Sequence, residues 1–105
     1  MTKEEIYYRE TGKQISGATE SQMFGKPCFM INGKAFTCLF NGMMVFKLAD
    51  EARSHALAFE GAVLFDPSGR GRPMKEWVQV PFEHHSKWPE LARTAFDFVS
   101  AHVKK

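Results

Sequence analysis

The stretch CFMINGKAFTCLFNGMMVFKL, Cys28 to Leu48, decides the fold. It holds two Asn-Gly pairs, Asn32-Gly33 and Asn41-Gly42, each set between runs of aromatic, aliphatic and sulfur-bearing residues. Asn-Gly supplies two successive residues that accept positive φ, as a two-residue type I′ turn requires, so each pair predicts a hairpin. The flanking runs suit a pleated, half-buried surface. Three strands joined by two tight turns make an antiparallel meander, and ATESQMF, residues 18–24, reads as a further strand in front of it.

Tight turns also predict register. Ile31 then faces Lys34 and Cys28 faces Thr37, while Phe40 faces Met43 and Thr37 faces Phe46. Side chains alternate between the faces of a strand. One face receives Cys28, Met30, Ala35, Thr37, Leu39, Met44, Phe46 and Leu48. The other receives Phe29, Ile31, Lys34, Phe36, Cys38, Phe40, Met43, Val45 and Lys47. In this register Cys28 and Cys38 point to opposite sides and cannot pair. Both faces are apolar, whereas a sheet wet on one side alternates apolar with polar residues. Each face therefore calls for cover. The expectation is that the helices cover one face and a second copy of the chain, in a homodimer, covers the apolar remainder.

Outward from the meander, Thr2 followed by Glu5 fits a capping box and predicts a helix over Lys3–Lys13, with Ile6 and Tyr7 as its apolar anchors. Asp50 can cap a second helix running to about Phe59, with Ala52, Ala56 and Phe59 inward and Gly61 as its stop. AVLFD is a short strand, Asp66-Pro67-Ser68-Gly69 a turn, and EWVQVP another strand that Pro81 ends. Pro89 fits the first turn of a last helix, along which Leu91, Ala95, Phe98, Val99 and His102 recur at helical spacing. The order is α-β-meander-α-β-β-α. The class is α+β: an antiparallel sheet, meander plus second hairpin, packed against about three helices.

The bulk numbers agree with a single domain spanning residues 1–105. The chain has 105 residues, 44% hydrophobic and 25% charged, with ten Phe and a net charge of +2. That size buries roughly two-thirds of the unfolded surface without metal or disulfide staples. The mild positive charge falls short of a dedicated nucleic-acid binder, so any basic function must come from local clustering. No apolar run is long enough to span a membrane. The charged start, MTKEEIYYRE, lacks a signal-peptide core. A cytoplasmic location with reduced thiols is the expectation, and two cysteines make neither a disulfide framework nor a metal site.

Two blocks carry a family resemblance. MFGKPCFMINGKAFTCLFNGMMVFKL has a Met-Phe-Gly step, an extended segment, an Asn-Gly turn followed by Lys, and a further strand. GRPMKEWVQVP has a Gly-Arg-Pro-Met-Lys turn leading into a Trp-Val strand. In this order they resemble the TfoX N-terminal domain family, over about Met23 to Val99. The resemblance implies a small α+β domain similar to the secretion-chaperone-like folds. It also implies a non-enzymatic, transcription-regulating or adaptor role like that of bacterial competence regulators, acting through protein–protein contacts. No catalytic residues, cofactor or metal come with it.

One segment concentrates charge: Arg70, Arg72 and Lys75, with Gly69 and Gly71 between and before the arginines. Guanidinium groups match phosphate or carboxylate oxygens two at a time, and glycines let backbone N–H groups approach an anion. The segment reads either as an anion- or nucleic-acid-binding loop, helped by Lys47 or Arg53, or as a solvated hairpin whose charges Asp66 and Glu76 offset. It is not a phosphate-binding P-loop, since Gly-x-x-x-x-Gly-Lys is missing. His84-His85 lack the spacing of a metal-ligand set and read as surface histidines. Cys28 and Cys38 sit among apolar strand residues and read as buried, inert thiols.

Overall fold

Both Asn-Gly pairs turn as their dihedrals demand: φ is 51° at Asn32 and 79° at Gly33, and 51° at Asn41 and 76° at Gly42. The computed structural model describes residues 2–23, 26–66 and 74–102. Its elements are α1 (Lys3–Lys13), β1 (Thr19–Met23), β2 (Lys26–Ile31), β3 (Lys34–Phe40), β4 (Met43–Lys47), α2 (Asp50–Leu57), β5 (Val63–Phe65), β6 (Met74–Val80), a 3-10 helix (Phe82–Lys87) and α3 (Trp88–His102). All strand pairs are antiparallel, in a six-stranded sheet ordered β1-β2-β3-β4-β6-β5. The α+β class and the element order match the expectation, including the extra strand β1.

The register of the first hairpin holds beside the turn, Ile31 with Lys34 and Met30 with Ala35, and departs beyond it. A bulge in β3 makes both Phe36 and Thr37 answer Phe29, so the pairs beyond it become Phe29 with Thr37 and Cys28 with Cys38. An extra residue on one strand shifts every later pair by one and flips which residues share a face. The second hairpin keeps the expected register, Thr37 with Phe46 and Phe40 with Met43. The outcome is two coherent faces. Phe29, Phe36, Met44, Phe46, Leu48, Val78 and Val80 belong to the core beneath the helices. Cys28, Cys38, Val45, Phe65 and Trp77 form a second cluster on the other side.

The helical core follows from spacing. In α1, Tyr8, Thr11, Gly12 and then Ile15 fall along one stripe and are buried. Ile6 and Tyr7, the anticipated anchors, are instead 43% and 42% exposed. They lie about two residues and one residue before Tyr8, and so off its stripe. The inward stripe brings the helix backbone itself onto the sheet. A Cβ at Gly12 would stand 2.1 Å from the Phe29 ring. Thr2 caps the helix as expected, its Oγ1 accepting from the Glu5 N–H at 3.1 Å. Asp50 does not cap α2. Ala49 holds that position without a side-chain bond, and Asp50 enters the helix with φ at 54°, a left-handed value that Asp tolerates. In α3, Trp88, Leu91, Ala92, Ala95 and Val99 face inward, and the helix lies over β3 and β4.

No described helix covers the second face, yet its central residues are buried, with Cys28 and Val45 0% and Trp77 6% exposed. The sheet itself closes much of this side. Phe40 on β3 and Phe65 on β5 are separated by β4 and β6, a span of about 14 Å in a flat sheet. Their rings meet edge to face with centroids 5.1 Å apart. Closing that gap takes curvature toward this face, helped by the register break between Leu64 and Phe65. The apolar face anticipated as a homodimer contact is therefore already buried at its centre within one chain.

Candidate functional site

Of the anticipated basic loop, Arg70 and Arg72 lie outside the described residues, and the Lys75 backbone lies in β6. Its two anticipated helpers do not converge. Lys47 sits on the second face, its Nζ 5.8 Å from the centre of the Trp77 ring. Arg53 is in α2, which packs against β6 from the helical side. A lysine not singled out from sequence does join Lys47: Lys26 Nζ lies 5.2 Å over the Phe40 ring on the second face. The two ammonium groups thus rest on aromatic rings of one sheet surface, a contact worth about 0.5–1 kcal/mol at exposed sites.

The two thiols stand opposite one another on β2 and β3, 0% and 1% exposed. Burial pushes the Cys28 thiol up from its ordinary value. Burial, with a smaller push from Cys28, raises Cys38 to about 12. Both therefore remain protonated and weakly nucleophilic near neutral pH, as expected from sequence. What sequence missed is that they face each other, because nothing in the composition of KAFTCLF marks a bulge.

The histidines serve packing. His84 Nε2 lies 2.8 Å from the Glu60 carbonyl oxygen, and its ring lies 5.0 Å from that of Phe59. His85 Nδ1 lies 3.0 Å from the Phe82 carbonyl oxygen. The His85 ring stacks on Phe82 at 4.5 Å and meets Tyr7 at 4.6 Å. Together these rings tie α1 to the 3-10 helix. Both histidines are half-buried rather than fully on the surface. Among the described residues no group of three or more His, Cys, Asp or Glu side chains could hold a metal ion.

A third locality was not anticipated: the flank where α1 meets β1. Arg9 Nη1 donates to Glu20 Oε2 at 2.8 Å, and Arg9 Nη2 lies 3.7 Å from Glu5 Oε2. This bridge fixes α1 beside the terminal strand of the sheet. Ile6, three residues before Arg9 in α1, is exposed. Tyr8 carries a buried hydroxyl that has no hydrogen-bond partner among the described residues. Burial, above all, and then the nearby Cys28, Cys38 and Glu20 hold that phenol well above its ordinary value. The flank offers surface: an exposed strand beside α1.

No protein-family model, no curated protein and no solved structure matches this chain.

Proposed function

We propose that this chain is a non-catalytic interaction domain of the TfoX N-terminal type, a small regulatory or adaptor module that works through protein–protein contact and pairs with a second copy of itself. The observation that carries the reading is the outer edge of β1. Among the described residues this strand ends the sheet, bonds to β2 on one side only, and exposes Thr19, Glu20, Ser21 and Gln22. An unpaired strand edge presents backbone donors and acceptors that template pairing with another chain. The opposite edge, β5, has only three residues. β1 has five, and its one charge is neutralised by Arg9. A two-fold axis beside β1 would continue the sheet from one copy into the next, each copy offering the same patch. The non-catalytic part of the reading is supported by three side chains, Tyr8, Cys28 and Cys38, which are buried and held in their neutral forms.

Sedimentation velocity over a wide concentration range tests the proposal. The wild type should pass from monomer to dimer with concentration. Ser21→Lys and, separately, Gln22→Lys should shift that transition to higher concentration by tenfold or more while leaving the melting temperature of the monomer within a few degrees. A wild type that stays monomeric throughout, or a dimer indifferent to both changes, sinks it.

A second reading, anion or nucleic-acid binding, is favoured by one observation: Lys26 and Lys47 share the second face with aromatic side chains. Positive charge gathered on one surface is how a nucleic-acid backbone is tracked. The anticipated Arg70, Arg72 and Lys75 would add to that charge.

A further inference from the structure

We propose that Cys28 and Cys38 form an oxidation site, at which the two thiols close into a disulfide across β2 and β3. The bulge in β3 is what makes this accessible. It pairs Cys28 with Cys38 directly and places both side chains in the cluster on the second face. Without the extra residue, Cys28 would face Thr37 and the sulfurs would lie on opposite sides of the sheet.

Directly opposed antiparallel residues have Cα atoms about 4.5 or 5.5 Å apart, depending on the pair type. Both separations fall inside the range of roughly 4.4–6.8 Å that disulfides span. The Cβ atoms must approach by up to about 1 Å. The register break between Phe29 and Met30, next to Cys28, gives the strands room to adjust. Both cysteines are free thiols in the structure.

The reaction balances with hydrogen peroxide as oxidant. One sulfur, as its thiolate, attacks a peroxide oxygen. The O–O bond breaks, a sulfenic acid forms, and the displaced hydroxide takes up the proton lost from the thiol to give water. The second sulfur then attacks the sulfenic sulfur. The S–O bond breaks as the S–S bond forms, and a second water leaves with the remaining thiol proton. Two thiols are oxidised and one peroxide is reduced. Burial keeps the folded thiols protonated and shielded, so closure is slow and answers sustained exposure rather than a brief pulse. Once made, the bond joins two neighbouring strands through a short loop, which restricts the unfolded chain and raises the melting temperature.

The test uses the wild-type chain. It is incubated with millimolar hydrogen peroxide, quenched, and alkylated after unfolding. It is then digested with trypsin, which cuts after Lys34 and so separates the Cys28 peptide from the Cys38 peptide. The expected result is a monomer that has lost both free thiols, a Cys28–Cys38 linked peptide that dithiothreitol splits, and a melting temperature raised by several degrees until reduction. Two free thiols surviving an exposure that oxidises the unfolded chain would overturn the proposal. So would sulfinic acid at either cysteine without the linked peptide, or a bond between chains in place of the internal one.

Discussion

Replacing Gly12 with Ala would ordinarily strengthen a helix. Ala exceeds Gly in helix propensity by about 1 kcal/mol, and Gly12 lies inside α1 at no positive φ that would demand glycine. The structure predicts the opposite sign. A Cβ at this position would lie 2.1, 2.2 and 2.4 Å from three atoms of the Phe29 ring. Ordinary contact needs more than a further ångström. The ring has little freedom to yield, since it is 2% exposed and packs against Tyr8 with centroids 5.1 Å apart. Forcing an extra methyl into a packed core costs typically 1–3 kcal/mol, and a clash this deep lies at or beyond the upper end. Set against the propensity gain, Gly12→Ala should destabilise by about 2 kcal/mol or more, lowering the melting temperature by roughly 8–16 °C. Phe29→Leu makes the control, because a smaller side chain leaves room for the methyl. The two changes together should then cost less than the sum of each alone, by at least ~1 kcal/mol in a double-mutant cycle read by urea denaturation. Gly12→Ala that stabilises the protein, or a strictly additive double variant, would refute the docking of α1 on β2.

Three further outcomes follow from other parts of the molecule. Gly33→Ala should cost about 1 kcal/mol through the left-handed backbone alone, since φ is 79° and no atom stands within 4 Å of a Cβ there; a neutral effect in thermal melts would argue against the type I′ turn. The raised thiol and phenol values make stability pH-dependent in one direction. With Cys38 at about 12 in the folded chain, its contribution is complete below the ordinary thiol range near 9 and is lost as pH rises from there toward 12. Melting temperature should accordingly fall above about pH 9, and Cys38→Ala should flatten the first part of that fall; a profile flat to pH 11 would refute it. For the basic segment, a thermal-shift screen with phosphate, nucleotides and short DNA compares wild type with Arg70→Ala/Arg72→Ala at two salt concentrations. The anion-binding reading requires a rise that the variant loses and that salt weakens.

The meander was legible because its signals are local. Two Asn-Gly pairs fix two turns through the dihedrals those residues tolerate, and the apolar runs around them leave little choice but strands. Thr2 and Glu5 likewise announce a helix start within one turn of chain. What was not legible depends on contacts distant in sequence. Phe36 enters a bulge because both it and Thr37 can be buried beneath the helices, Phe36 against Phe96 and Thr37 through a 2.7 Å bond from Oγ1 to the Val45 carbonyl. Nothing in residues 34–40 alone distinguishes that solution from a regular strand. In α1, the run Ile6-Tyr7-Tyr8 offers three apolar residues for one inward stripe, and Gly12 selects Tyr8 by letting the backbone sit on Phe29. The thiol pairing and the flank at Arg9 and Glu20 were hidden for the same reason, since each exists only once strand register and helix placement are settled.

The sheet order has a kinetic consequence. Pairings from β1 through β4 join neighbours in sequence, as does β5 with β6, so each of these contacts closes a short segment. The seam between β4 and β6 is different. Met44 meets Val80 and Lys47 meets Trp77 across the whole of α2 and β5. Loop closure there costs more entropy, and long-range pairing of this kind slows folding. The meander can condense before the seam closes, whereas the C-terminal hairpin gains its place only when β6 joins β4, with α2 packed against β6. In the native state that ordering makes the β4–β6 seam the natural line of sub-global opening, with β5 and β6 parting from an otherwise intact meander.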